Sequence, residues 1–161
     1  MKKIILFLFA FACLTNAKAQ TSSLHVANTF HIKSEGWWDY IFVDTASNKL
    51  FVSHGTQVNV IDRNTGDSLG IMPNTNGVHG IALVHSLHKG FTSNGRSNNV
   101  FVFDLNTLQV TDSIATGENP DAIFYDEYSK KIITCNGRSK NLTLIDPSTN
   151  KVVATIDVKG K

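Results

Sequence analysis

The C-terminal half of the chain repeats itself. The stretch SNGRSNNVFVFDLNTLQVTDSIATGENPDAI lies over CNGRSKNLTLIDPSTNKVVATIDVKGK, and residues 77–118 superimpose on 119–161 without a gap. Asp104 and Asp146, Gly95 and Gly137, and Ile114 and Ile156 are each 42 positions apart. A third copy, 36–76, fits the same frame once two residues are removed after Gly55. A period of about 40–45 residues made of short strands specifies propeller blades. One blade cannot bury its own two faces, so each copy must stack on the next.

Each repeat reads as four short runs separated by turn residues. The first runs are Asp39–Val43, His79–Val84 and Asp121–Tyr125; the second are Lys49–His54, Lys89–Asn94 and Lys131–Asn136. The third are Val58–Ile61, Val100–Phe103 and Leu142–Ile145; the fourth are Asp67–Met72, Gln109–Ile114 and Lys151–Ile156. No run has the length or 3.6-residue period of a helix. Apolar positions agree across copies: Phe51, Phe91 and Ile133; Val60, Val102 and Leu144; Met72, Ile114 and Ile156. The expected fold is therefore all-β, a partial β-propeller of three four-stranded antiparallel blades at 36–76, 77–118 and 119–161. Residues 20–35 precede the first complete blade, and His25–Ile32 has the pattern of an N-terminal closing strand.

The turns have their own chemistry. Asp62, Asp104 and Asp146 each end a third strand, and Thr65, Thr107 and Thr149 follow three residues later. An Asx carboxylate accepts backbone N–H groups two and three residues on, with help from the hydroxyl. Gly66 and Asn150 tolerate the positive φ of such a hairpin, whereas Leu108 does not favour it, so the middle hairpin is expected to turn differently. Asp62–Asp67 superficially resembles a calcium loop but lacks the downstream Glu.

Residues 1–19 read as a secretory signal. Lys2 and Lys3 precede an apolar run, Ile4–Leu14, too short to span a bilayer, and Ala17-Lys18-Ala19 is a cleavage site before Gln20. Its removal changes the charge balance from 15 basic and 13 acidic residues to 12 against 13. A near-neutral mature chain gives no global attraction to nucleic acid or anionic membrane. Cys135 alone remains, so no internal disulfide forms, and its mid-strand position suits a small buried hydrophobe. The expected location is a bacterial periplasm or the exterior, with no membrane span after processing.

LFVSHGTQVNVIDRNTG, GFTSNGRSNNVFVFDLNTLQV and KIITCNGRSKNLTLIDPSTNKVVATIDV resemble the YVTN repeat of secreted YncE-like β-propellers. GVHGIAL and GENPDAIFYD resemble the family's approach to each blade. The resemblance covers 36–161, and its motif blocks recur in order. His54-Gly55 departs from the usual Asn-Gly, and Gly90 and Ile132 stand where the motif has an apolar residue or Tyr. The resemblance implies a closed, usually seven-bladed, monomeric ring. Seven such copies need roughly 300 residues, so the sequence reads as a truncated propeller, the alternative being a small protein that closes by oligomerising.

In a propeller, the loops joining second to third strands and fourth to next first strands form one rim. Trp37, Trp38, Asp39, His79, Asn119 and Asp121 fall on the strand approaches; His54, Asn94, Arg96, Asn136 and Arg138 fall on the hairpins. These eleven are the candidate ligand-binding residues. Arg96 and Arg138, repeated inside NGRS, can clamp an anion or serve a solvated turn. Trp37 and Trp38 can stack on a ligand or pack between blades. His54, His79, Asp39 and Asp121 offer zinc- or copper-type donors but come from different blades, with no local ligand spacing. His85 and His88 fall in a solvated turn on the opposite rim. There is no G-x-S-x-G, H-E-x-x-H, C-x-x-C or phosphate-binding loop. No catalytic set, metal site or cofactor is assigned. The reading is an exported, non-catalytic binding module for a protein, peptide or small ligand. The alternatives are a lactonase-type propeller hydrolase and, more weakly, a nucleic-acid binder.

Overall fold

The computed structural model describes residues 24–34 and 36–159. The expected signal and its cleavage site lie outside the described residues. Among the described residues, twelve strands form three separate four-stranded meanders, each ordered by sequence and antiparallel throughout. The first blade holds β1 (Trp38–Asp44), β2 (Lys49–His54), β3 (Gln57–Asp62) and β4 (Ser68–Met72). The second holds β5 (Val78–Val84), β6 (Lys89–Asn94), β7 (Asn99–Asp104) and β8 (Val110–Ala115). The third holds β9 (Pro120–Asp126), β10 (Lys131–Asn136), β11 (Asn141–Asp146) and β12 (Lys151–Asp157). The second strand of every repeat has the bounds expected from sequence; the others differ by one residue at one or both ends.

The blades stack with β5 against β1 and β2, and β9 against β5 and β6, and apolar residues of the middle strands fill the seams between them. Phe51, Val58, Val60 and Met72 of the first blade pack against Val78, Ile81, Leu83 and Phe103 of the second. Ala82, Phe91, Val102 and Ile114 of the second pack against Ile123, Ile132 and Ile145 of the third. Burying one such side chain contributes about 1.5–3 kcal/mol, so the two seams dominate the fold's energetics. The stack does not close. Met72 is fully buried and Ile114 is 6 % exposed, but Ile156, in the same register, is 47 % exposed. Cys135 lies on that uncovered face and is half-buried rather than buried.

Residues 24–34 belong to none of the three sheets. A strand is held by a ladder partner, and this segment has none. Instead Phe30, His31, Ile32 and Lys33 lie along the outer face of the first blade, over Ile41, Leu50, Val52 and Ile61, enclosing an apolar groove of about 530 Å3.

The Asp-anchored hairpins form as expected, with two differences. Asp62 accepts from the N–H groups of Asn64 and Thr65 at 2.8 and 3.0 Å, and Asp104 from Asn106 and Thr107 at 2.9 and 2.8 Å. In the third hairpin the helper is Ser148, whose N–H donates to Asp146 at 2.9 Å and whose hydroxyl also reaches it, in place of Thr149. Leu108 corrects the second expectation: its φ is 60°, beside 78° at Gly66 and 56° at Asn150, so all three hairpins turn alike. A left-handed Leu costs about 1–2 kcal/mol. Its side chain offsets that by packing, half-buried, against the core between the first two blades, with Cδ1 over the bare Cα of Gly70.

Candidate functional site

One rim of the stack carries a cleft of about 430 Å3 between the blade approaches and the hairpins. Trp37, Trp38 and Asp39 come from the start of the first blade, His79 from the second, and Asn119 from the third. Arg96 and Arg138 reach in from the β6–β7 and β10–β11 hairpins. Seven of the eleven residues singled out by sequence therefore converge. Gly55, Gly77 and Val78 complete the lining.

Backbone hydrogen bonds hold this rim. Gly77 donates to Gly55 across the first seam at 3.0 Å and accepts from Gly95 at 2.8 Å; Gly137 likewise donates to Asn119 at 2.9 Å. Gly77 has φ 64°, and a Cβ there would lie 2.7 Å from Cγ of Arg96. Its lack of a side chain thus permits both the turn and the approach of the arginine stem.

Asp39 and His79 occupy equivalent positions in adjacent blades, two residues before Ile41 and Ile81. The Asp39 carboxylate accepts from Nδ1 of His79 across the seam. That bond places the imidazole proton on Nδ1 and leaves Nε2 as the free nitrogen of the ring. Trp37 is 85 % exposed, while Trp38 tilts over His54 with ring centroids 4.0 Å apart.

The other four candidates do not line the cleft. His54 is buried beneath Trp38, with Nδ1 2.8 Å from the Ser34 hydroxyl. Asn94 and Asn136 are buried braces: the first donates to Asn99 at 3.1 Å, the second to Asn141 and Thr143 at 2.8 Å. Asp121 is exposed outside the cleft, and its backbone carbonyl accepts from Ser93. Among the described residues, no group of three His, Cys, Asp or Glu side chains is placed to hold a metal ion.

Carboxylates with lowered pKa sit on the opposite rim. The N–H groups of Thr107 and Asn106 hold the Asp104 carboxyl below its ordinary value, as those of Asn64 and Thr65 do for Asp62. Burial works against ionisation of Asp44, but the Ser47 hydroxyl, the Ala46 N–H and His85 outweigh it. His85 is therefore not simply a solvated turn residue: its Nε2 lies 3.0 Å from Asp44 across the first seam. These shifts belong to turns and seams.

The sequence family described as YNCE-like beta-propeller matches residues 42–161. The chain belongs to that family. The propeller has no match among curated proteins. Among solved structures it is similar to the hydrazine synthase of Kuenenia stuttgartiensis, at 19% identity and a TM-score of 0.72, covering 84% of this chain and 40% of that one. It is also similar to the WD40 propeller domain of Doa1, at 12% identity and a TM-score of 0.63, covering 76% of this chain and 41% of that one. The RRP9 WD40 repeats match at 10% identity and a TM-score of 0.71, covering 79% and 40%. Identities this low speak for the fold alone. The propeller spans about 40% of the length of these structures.

Proposed function

We propose that the mature protein is an exported, non-catalytic binding module that takes a peptide, protein segment or small ligand into the rim cleft. The observation that carries this is convergence. Residues from all three blades meet in one recess, combining an exposed indole, two guanidiniums and an amide, as binding sites on rigid scaffolds do. Export rests on the basic start, the short apolar run and the A-x-A site, and the mass of the exported protein tests it: the chain should start at Gln20. Binding is tested by tryptophan emission against a panel of peptides, sugars, nucleotides and organic acids. A saturable change that disappears in Trp37→Ala supports the module; no response to any class of compound sinks it.

A second reading is a propeller hydrolase, and the Asp39–His79 pair favours it. A carboxylate that orients an imidazole, leaving Nε2 available to a water, is the arrangement of a general base and its orienting group. Lactone and ester hydrolysis by the wild type, lost in His79→Gln and reduced in Asp39→Asn, would establish it.

A further inference from the structure

We infer that the rim cleft binds a small oxyanion carried on a planar body, its charged head between Arg96 and Arg138 and its body against Trp37. This rests on reading the cleft as a ligand site and narrows that reading to one chemistry. The cleft presents two guanidiniums against a single carboxylate. Neither arginine forms an ion pair among the described residues, whereas the carboxylate, Asp39, is already matched to His79. The two arginines come from equivalent hairpins of adjacent blades and line the same recess. Two cations that line one recess favour an anion seated between them. Arginine suits the task because its planar fork meets a carboxylate or phosphate with two parallel hydrogen bonds. The stem of Arg96 is seated rather than loose, since it lies over the bare Cα of Gly77. Beside the arginines, Trp37 holds a large apolar face in solvent, 85 % exposed. An indole face stacks on planar groups, so the pairing of cations and indole selects a planar acid over a simple ion.

The test titrates the exported protein with benzoate, phenyl phosphate and the neutral benzamide, following tryptophan emission and melting temperature. At least one anion should bind saturably, with benzamide about tenfold weaker or worse, the difference expected of a charge-assisted pair. Arg96→Gln and Arg138→Gln should each weaken the anion by about tenfold while leaving the melting temperature without ligand unchanged. Preference for benzoate marks a carboxylate ligand and preference for phenyl phosphate a phosphate ester; both support the inference. Equal binding of benzamide, anion binding indifferent to both arginines, or no anion binding overturns it. If a neutral sugar or peptide binds while both anions fail, the ligand class falls and the binding module stands. If nothing binds, both fall.

Discussion

Lys49 in the first blade donates from Nζ to the backbone carbonyl of Leu105 in the second, at 2.8 Å. Lys89 repeats the contact one blade on, reaching the carbonyl of Pro147 and the side chain of Asn150, both at 2.9 Å. Lys131 holds the same register position and pairs with Asp146 of its own blade at 3.1 Å. Lys49 and Lys89, which open the second strands of the first two blades, are thus staples to the following blade, and Lys131 is a pair within its own. A hydrogen bond from a charged group contributes about 1.5–3 kcal/mol. Lys49→Met and Lys89→Met should each lower stability by about that much in urea melts, and Lys131→Met by about 1 kcal/mol or less. Equal losses at all three positions would show that the cross-blade contact is not what matters.

Gly90 departs from its repeat motif for a reason on the facing strand. It pairs with Phe103, whose ring covers it and lies 6.0 Å from that of Phe51. A Cβ on Gly90 would sit 2.0 Å from Cζ of Phe103. Gly90→Ala should therefore destabilise by about 1–3 kcal/mol through overpacking. Adding Phe103→Leu should recover part of that loss, giving a non-additive double-mutant cycle. Strict additivity in denaturant melts would contradict this packing account.

Acid should weaken the fold through its hairpins. Asp62, Asp104 and Asp146 have carboxyl groups held below their ordinary value of 3.8. A carboxyl lowered by folding contributes stability that is complete above its unfolded value and lost as pH falls through the folded one. The urea midpoint should hold from neutral pH to about 5 and drop below about 4. Asp104→Asn, which keeps an oxygen acceptor, should keep the hairpin and shrink the acid loss. A midpoint insensitive to pH, or an unchanged acid slope in Asp104→Asn, would count against the assignment.

The third blade shows a face that its neighbours bury. Phe124 and Ile156 are 48 % and 47 % exposed, whereas Phe91 and Met72 on the covered faces are fully buried. The polypeptide 20–161 alone should consequently self-associate in light scattering and melt broadly. A sharp two-state transition from a monomer would show that three blades suffice.

Much of this architecture was legible because a propeller writes its fold as repetition. Strand positions followed from alternation and from the recurring Asp, and the stacked faces from matched residues such as Phe51 and Phe91. The site was legible only to the level of a rim. Whether His54 faced solvent depended on Trp38 tilting over it and on Ser34 reaching it from outside the repeats, which no periodicity encodes. Asn94 and Asn136 looked like Arg96 and Arg138 in the sequence, yet the amides end their strands and brace Asn99 and Asn141 from within, while the arginines lie in the turns beyond. The lysine staples were visible as a recurrence, but lysines opening strands look like ordinary surface charge until their partner blade is in place. The Leu108 turn was misread because intrinsic backbone preference gave way to burial.

Hydroxyl-radical footprinting tests the rim assignment most directly. Trp37 and Tyr128 are 85 % and 96 % exposed and sit on opposite rims, so each serves as the other's control. The exported protein would be oxidised with and without the compound that raises its melting temperature most in the ligand panel. The account predicts that Trp37 becomes protected while Tyr128 reacts at an unchanged rate. Protection of Tyr128 with Trp37 unaffected would place binding on the other face and contradict it.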